Sequence, residues 1–188
     1  VAIVGPTASG KTGLAISLAK KIGGEVICAD SRTIYKGMDI GTAKPSSIEQ
    51  DGIVHHALDL LNPDQAYSAV EFKALAQSLV GDIQSRGKIP IVVGGTGLYV
   101  WALLYDYLFP AGADNEQRRE LEDKPLDELC KQLSVADPDA FKEVDLANKR
   151  RVIRAIETAG RPREKRRVPI EGAQIVGICP SMKMLEQR

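Results

Sequence analysis

The sequence lacks the features that would mark a membrane protein, a secreted protein or a metal-stabilised domain. It has no run of eighteen apolar residues, and no signal peptide precedes its first apolar segment, so we expect neither a membrane partner nor export. Its three cysteines, Cys28, Cys130 and Cys179, lie far apart without a C-x-x-C spacing, which argues against a disulfide framework and a zinc site. We therefore expect a globular protein of the cytoplasm with reduced thiols.

The sequence also has no net charge, because 25 Lys and Arg residues balance 25 Asp and Glu residues. This balance argues against a wholly basic surface for nucleic acid. The charges are nevertheless unevenly placed, since residues 149–167 hold nine Lys or Arg against two Glu. Such polarity predicts one face built for a polyanion. A solvated helix face followed by a flexible basic loop is the alternative for this segment.

The first twelve residues carry the most specific pattern in the chain. Four apolar residues predict a buried parallel strand, and Gly5-x-x-x-x-Gly10-Lys11-Thr12 is typical of a loop that cradles phosphate and opens into a helix. The glycines let backbone amides point inward, Lys11 adds a full charge, and the Thr12 hydroxyl can hold Mg²⁺. The predicted phosphate-binding residues are Gly5, Pro6, Thr7, Ala8, Ser9, Gly10, Lys11 and Thr12.

Strand, loop and helix patterns alternate after this loop. Apolar segments predict strands at 25–29, 57–61, 89–93 and 173–178. A first helix should end at Gly23-Gly24 and bury a face with Leu14, Ala15, Leu18, Ala19 and Ile22. A capping box at Ser68–Glu71 predicts the start of a second helix. The alternation predicts an α/β fold with a mainly parallel sheet flanked by helices.

The carboxyl ends of the predicted strands collect the polar residues. Asp30 and Ser31 follow the second strand, and Thr96 lies in the glycine-rich turn after the strand at 89–93. Because the carboxyl ends of parallel strands share one edge of a sheet, we expect these residues beside the phosphate-binding loop. A helix cap or turn is the alternative role for Asp30. His55 and His56 are adjacent on a strand pattern and should point to opposite faces, which favours structural roles over a shared metal.

The composition changes after Tyr107. We expect residues 1–107 plus 170–188 to form the α/β core and residues 108–169 to form a small, mainly helical basic insertion. Near the end of the insertion, Val152, Ile153 and Ile156 form an apolar stripe. The arginines on the other side of this helix are Arg150, Arg151 and Arg154. Three guanidinium groups on one face suit phosphate oxygens better than a core.

Two longer strings complete the pattern, Tyr35-Lys-Gly-Met-Asp-Ile-Gly-Thr-Ala-Lys-Pro45 and Gly94-Gly-Thr-Gly-Leu-Tyr99. With the loop at Gly5 and the pair Asp30-Ser31, they closely resemble the tRNA dimethylallyltransferase family, strongly to about residue 107 and recognisably to Arg188. The resemblance implies a P-loop NTPase-like fold. It also implies transfer of a dimethylallyl group from its diphosphate to the N6 amine of the adenosine 3′ of the tRNA anticodon. The partners are then dimethylallyl diphosphate, Mg²⁺ and the tRNA anticodon loop, and we expect a monomer.

The same resemblance implies the roles of individual residues. Asp30 matches the general base, Thr7 a donor to the bridging oxygen of the diphosphate, and Lys11 a stabiliser of the leaving group, with the diphosphate rather than ATP in the loop. Thr12 matches the Mg²⁺ ligand. The residues that match tRNA contacts are Asp30, Ser31, Arg32, Thr33, Thr96, Arg118, Arg150, Arg151 and Arg154. Thr33 stands where many members carry Gln, so contacts near the adenine should differ.

The ends of the chain also depart from the family. The chain begins inside a predicted strand, and family members continue well beyond Arg188. We therefore expect a truncated or incomplete chain.

Three alternatives use the same residues. A small-molecule P-loop kinase would bind ATP and use Asp30 to activate a hydroxyl, but no arginine-rich lid is apparent. An adenylate isopentenyltransferase would not need the basic insertion, because its acceptor is a free nucleotide. An RNA-binding module with a vestigial nucleotide fold would not need Lys11, Thr12 and Asp30 together.

Overall fold

The computed structural model describes residues 1–107, 109, 115–161, 169–181 and 183–184. Contacts divide the chain into two compact units, Val1–Tyr107 with Arg166–Arg188, and Leu108–Lys165. Most of the predicted basic loop, residues 162–168, lies outside the described residues. No helix in the described ranges is long and apolar enough to cross a membrane.

The first unit is built on a parallel sheet, as the alternating pattern predicted. Its strands are β1 Ala2–Val4, β2 Gly24–Cys28, β3 His55–His56, β4 Ile89–Gly94 and β5 Ile175–Gly177. They lie in the order β3-β2-β4-β1-β5, and every described pairing is parallel. The helices of this unit are α1 Lys11–Ile22, α2 Ala69–Ser85 and α3 Gly97–Leu104. The predicted α/β fold is therefore confirmed.

Helix α1 ends as predicted and buries the predicted face except for Leu14. Gly23 adopts the left-handed conformation (φ 67°) that a helix C-cap favours. Ala15, Ile16 and Ala19 are buried, whereas Leu14 is 43% exposed, so the prediction that Leu14 packs inward was wrong. Ala15 and Ala19 lie in the same buried cluster as Ile3 and Val26 of the sheet, and Leu18 and Ile22 pack against that cluster.

The predicted strand at 57–61 was also wrong. The strand that pairs with β2 is β3, His55–His56, with Val26 opposite His55. The chain leaves the sheet immediately afterwards because Ala57 (φ 62°) and Asp59 (φ 52°) adopt left-handed backbone conformations, which a strand does not contain. Leu61 makes only an isolated bridge to Tyr35.

Helix α2 begins with the predicted capping box, in which Ser68 and Glu71 cap each other's backbone amides. Phe72 is fully buried and stacks on Tyr99 of α3 with ring centroids 4.4 Å apart. Burying two aromatic side chains in this way stabilises the packing of α2 against α3.

The second unit is helical. Its helices are α4 Asn115–Asp123, α5 Leu126–Ala136, α6 Pro138–Glu143 and α7 Lys149–Glu157. Its core contains Leu129 and Leu133 of α5 together with the predicted stripe Val152, Ile153 and Ile156 of α7. Asp137 caps α6 by accepting a hydrogen bond from the Ala140 amide at 2.8 Å.

Candidate active site

Three neighbouring strands end together and deliver the predicted site residues to one edge of the sheet. Val4 is level with Gly94, and Cys28 is level with Val93. A Cβ on Gly94 would lie 2.0 Å from the Ala29 carbonyl oxygen, so only glycine allows β2 and β4 to end this close together. The segments after β1, β2 and β4 therefore start side by side.

The segment after β1 forms the predicted loop into α1. Gly10 has φ 87°, and a Cβ on Gly5 would lie 2.6 Å from the Ile178 carbonyl oxygen, so both glycines are needed for the path of the chain. No acidic residue occupies the first turn of α1, which leaves the positive end of the helix dipole unopposed. Lys11 donates a hydrogen bond to the Pro6 carbonyl oxygen across the loop. Burial lowers the pKa of Lys11, and the nearby charge of Asp30 opposes this effect.

Asp30 is half-buried beyond β2. Its Oδ1 accepts a hydrogen bond from the Arg32 amide at 2.8 Å. This is the contact expected if Asp30 stabilises a turn, the alternative role given for it above. Asp30 also lines the cavity described below. The Thr96 Oγ1 accepts a hydrogen bond from the Ser31 amide at 2.9 Å, and this contact ties the segment after β4 to the segment after β2. Asp30, Ser31 and Thr96 thus lie together at the edge that carries the loop.

A cavity of about 540 Å³ opens at this edge and extends along the face of β2 that bears Val26, Cys28 and Asp30. Residues at alternate positions of a strand share a face, and the four residue steps from Val26 to Asp30 span about 13 Å of the cavity lining. The loop residues that line the cavity are Thr7, Ala8, Ser9, Gly10, Lys11 and Thr12. The same space therefore adjoins a phosphate-binding loop and a carboxylate.

Three buried polar atoms have no hydrogen-bond partner in the part of the chain that the structure describes. They are Ser9 Oγ, Thr33 Oγ1 and His55 Nε2, and all three residues line the cavity. A buried polar group without a partner costs about 1–3 kcal/mol, so an arrangement of three in one cavity fits a polar ligand there.

His55 is a cavity residue that the sequence did not identify. Its Nδ1 lies 2.9 Å from the Ile53 carbonyl oxygen, which can only accept, so Nδ1 carries the proton and Nε2 is an acceptor. Burial lowers the pKa of His55, which favours this neutral ring. Burial raises the pKa of the neighbouring Cys28 thiol to about 12, which disfavours the nucleophilic thiolate.

The predicted site residues in the second unit have partners within that unit. Glu157 is buried and accepts from Arg118 at 3.2 Å and from Arg154 at 3.0 Å. Arg151 pairs with Asp145 at 3.4 Å, and Arg150 is exposed. The buried Glu157 therefore fixes two of the four arginines, a feature that the charge count of residues 149–167 did not reveal. In the first unit, Arg32 is exposed next to Asp30.

The residues around Thr12 fit Mg²⁺ held mainly by a phosphate ligand. Within the described ranges, no group of three His, Cys, Asp or Glu side chains could hold a metal ion by itself. Thr12 and Asp30 nevertheless line one cavity, and both offer oxygen ligands. Mg²⁺ characteristically uses one or two protein oxygens together with phosphate oxygens and water.

Known families match both halves of the chain. A family model described as IPP transferase matches residues 33–176, and one described as isopentenyl transferase matches residues 1–62. The tRNA dimethylallyltransferase of Staphylococcus haemolyticus is 51% identical over 84% of this chain and 50% of its own length. The tRNA dimethylallyltransferase of Geobacillus thermodenitrificans is 44% identical over 100% of this chain and 64% of its own length. The chain thus spans between 50% and 64% of the length of these two curated relatives.

Two solved structures are also similar to this chain. The tRNA isopentenylpyrophosphate transferase of Bacillus halodurans has 46% identity and a TM-score of 0.57, over 83% of this chain and 53% of that one. A eukaryotic dimethylallyltransferase acting on tRNA has 35% identity and a TM-score of 0.73, over 84% of this chain and 40% of that one. Since the IPP transferase model matches more than half of the sequence, the chain belongs to the IPP transferase family.

Proposed function

We propose that this protein transfers the dimethylallyl group of dimethylallyl diphosphate to the N6 amine of the adenosine 3′ of a tRNA anticodon. The observation that carries the proposal is the shared cavity, which adjoins both the phosphate-binding loop and Asp30 and contains three unsatisfied buried polar atoms. The donor, a diphosphate ester, requires a phosphate-binding loop, and the acceptor, an amine that must lose a proton, requires a base such as a carboxylate beside that loop. The names of the relatives include the transferred group, dimethylallyl, and the acceptor, tRNA.

The loop at Gly5–Thr12 binds the diphosphate. Its amides and the N-terminus of α1 attract negative charge, and Ser9 Oγ can donate to a phosphate oxygen. As the allylic C–O bond breaks, its electron pair moves to the diphosphate, where Lys11 stabilises the growing charge. Thr7 donates to the oxygen that leaves. The Lys11 ammonium has three N–H donors and gives one to the Pro6 carbonyl oxygen, so it can bind a phosphate oxygen with another.

Asp30 acts on the acceptor. The adenine amine is a weak nucleophile because its lone pair is delocalised into the ring. As the new C–N bond forms, the amine nitrogen becomes acidic, and the Asp30 carboxylate accepts its proton. The Arg32 amide binds Oδ1 and orients the carboxylate for this transfer. Thr96 positions Ser31 beside it, and Thr33 lies within reach of the same ligand space.

Thr12 would hold Mg²⁺, and Asp30 lines the same cavity. When bound, the ion would supply further positive charge for the leaving group.

We also propose that Arg118, Arg150, Arg151 and Arg154 contact tRNA phosphates. The support is that their guanidinium groups are at least partly exposed and include two that are held in fixed positions by Glu157. The target base is stacked in the free anticodon loop and must flip out to reach a cavity of this depth. We expect a monomer that works in the cytoplasm, where its tRNA substrate is found.

The experiment is a transfer assay with radiolabelled dimethylallyl diphosphate and tRNA, with and without Mg²⁺, and with AMP and ATP as competing substrates. The proposal predicts label in tRNA, a dependence on Mg²⁺, and no ATP hydrolysis. Label in AMP but not in tRNA, or turnover of ATP without any prenyl donor, would contradict it and favour one of the two alternative enzymes.

A further inference from the structure

One side of the cavity is formed by an irregular segment, residues 35–51, which we call the wall loop. Its residues that line the cavity are Thr42, Ala43, Pro45 and Glu49. Apolar packing contributes little to its position, because Ile40 is 99% exposed and Ile48 is 88% exposed. An ion pair joins Asp51 to Lys20 of α1, but both side chains are largely exposed and such pairs are weak. The position of the wall loop must therefore depend on other polar contacts.

A backbone hydrogen bond from the Lys36 amide to the Leu61 carbonyl oxygen holds the start of the loop, and Lys44 makes the side-chain contacts that hold its middle. The Lys44 side chain is only 5% exposed, and its Nζ donates to the Tyr35 carbonyl oxygen at 2.7 Å, to Asp39 Oδ1 at 2.7 Å and to Asp59 Oδ1 at 2.6 Å. An ammonium group has three N–H donors, so these three acceptors satisfy it completely. Burial lowers the pKa of Lys44, but the hydrogen bonds from Lys44 to the two carboxylates outweigh burial and raise it, so the side chain stays charged. One buried cation thus joins the start of the wall loop, its middle and the chain beyond β3.

The backbone on both sides of this cation is strained. Ala43, which lines the cavity and directly precedes Lys44, has φ 51°, and Asp59 has φ 52°. A left-handed conformation costs a residue such as Ala43 about 1–2 kcal/mol, and it costs an aspartate less. Such conformations persist only where the surrounding contacts over-determine them. Backbone hydrogen bonds hold both residues, from the Ala43 amide to the Ile40 carbonyl oxygen and from the Asp59 amide to the Thr33 carbonyl oxygen. Lys44 adds the side-chain contact to Asp59, so we expect its removal to loosen this side of the cavity.

We propose that Lys44 is a positioning residue for the acceptor side of the reaction, an inference that rests on the proposed function. The donor diphosphate is held by the loop at Gly5–Thr12, which has its own amides and helix dipole and does not contact Lys44 in the described hydrogen bonds. The only charged group that we assign to the adenine is the Asp30 carboxylate, so the alignment of the adenine against Asp30 depends also on the shape of the cavity. Lys44 fixes that shape through Ala43 and Pro45.

The test is Lys44→Met, which keeps the length of the side chain and removes its charge, with Lys88→Met as the matched control at an exposed position. Steady-state transfer is measured below the melting temperature of each variant. We expect Lys44→Met to lower kcat/KM for tRNA by about 10-fold to 100-fold, the size expected when a reacting group is displaced by about 1 Å. The KM for dimethylallyl diphosphate should stay within about twofold of the wild-type value, because the diphosphate loop is untouched. Lys88→Met should match the wild type.

A second variant separates positioning from loss of folded protein. Removal of Lys44 leaves Asp39 and Asp59 facing each other without a cation, so Asp59→Asn added to Lys44→Met should restore part of kcat by relieving the repulsion. Asp59→Asn alone keeps an oxygen acceptor for Lys44, so it should lower kcat/KM for tRNA in the same way as Lys44→Met but by a smaller factor. This variant tests the proposal if Lys44→Met does not fold. Hydrogen exchange of residues 36–50 should be faster in Lys44→Met than in the wild type.

Three results would overturn the proposal. Wild-type kcat and KM values in Lys44→Met would show that the wall loop does not need the cation. Equal loss of affinity for both substrates would show a general structural role. If the wild type itself transfers no dimethylallyl group to tRNA, the proposed function fails first and this inference falls with it, whereas an active wild type with an unaffected Lys44→Met refutes this inference alone.

Discussion

A buried carboxylate at the start of β2 makes the stability of the first unit depend on pH. The Glu25 side chain is 7% exposed and accepts hydrogen bonds from Arg86 at 2.5 and 2.9 Å and from His56 Nε2 at 2.7 Å. The hydrogen bonds from Arg86, followed by that from His56, lower the pKa of Glu25 from 4.5 to about 2 against the opposing effect of burial. The folded state therefore binds this proton less readily than the unfolded state does.

The sign and size of the effect follow from this shift. A carboxyl group whose pKa is lower in the folded state stabilises it above pH 4.5, and this contribution is lost as the pH falls towards 2. At 1.36 kcal/mol per unit the shift corresponds to about 3 kcal/mol. The Arg86 side chain is 42% exposed, so solvent screening should reduce the measurable contribution to about 1–2 kcal/mol.

The assay is urea unfolding of wild type and Glu25→Gln at pH 7, 4.5 and 3. We expect the variant to be less stable at pH 7 and the difference in the free energy of unfolding to shrink steadily below pH 4.5. Asp82→Asn is the control, because it removes an exposed partner of the same Arg86 and should change stability by less than about 0.5 kcal/mol. A stability difference between wild type and Glu25→Gln that stays constant across this range would refute the reasoning.

Two further predictions concern binding. Thr33→Val removes a buried hydroxyl that has no partner among the described residues, so the free protein should be as stable as the wild type or more stable. The rise in Tm on ligand binding should become smaller. A marked loss of stability in the free variant would mean that the Thr33 hydroxyl has a hydrogen-bond partner. Replacing Arg150 and Arg154 by Ala should weaken tRNA binding and reduce the slope of log K against log salt by about 1–2, and an unchanged slope would remove both residues from the interface.

Local patterns predicted most of the fold because their physical causes are local. The capping box at Ser68–Glu71 and the glycine at the end of α1 satisfy backbone groups within a few residues, so they can be read from the sequence. The end of β3 could not be read in this way. It depends on left-handed conformations at Ala57 and Asp59, neither of which is a glycine, and the Asp59 side chain is bound by Lys44, which is distant in the sequence.

Some residues of the candidate site could likewise be predicted from local motifs, whereas others depend on contacts with distant parts of the chain. The loop at Gly5–Thr12 and the position of Asp30 follow from short motifs at strand ends, and the structure places them beside one cavity. His55 was missed because its side chain reaches the cavity only through the pairing of a two-residue strand with Val26. Glu157 was missed because a charge count does not show which charges are buried.

The central claim is that one cavity holds the diphosphate donor and the base that deprotonates the acceptor. The most direct measurement compares donor binding, tRNA binding and single-turnover transfer in Lys11→Met and Asp30→Asn. The account predicts that Lys11→Met loses affinity for dimethylallyl diphosphate, while Asp30→Asn binds both substrates and transfers nothing. An Asp30→Asn variant that transfers the group at the wild-type rate, or that fails only because it no longer binds tRNA, would contradict the account.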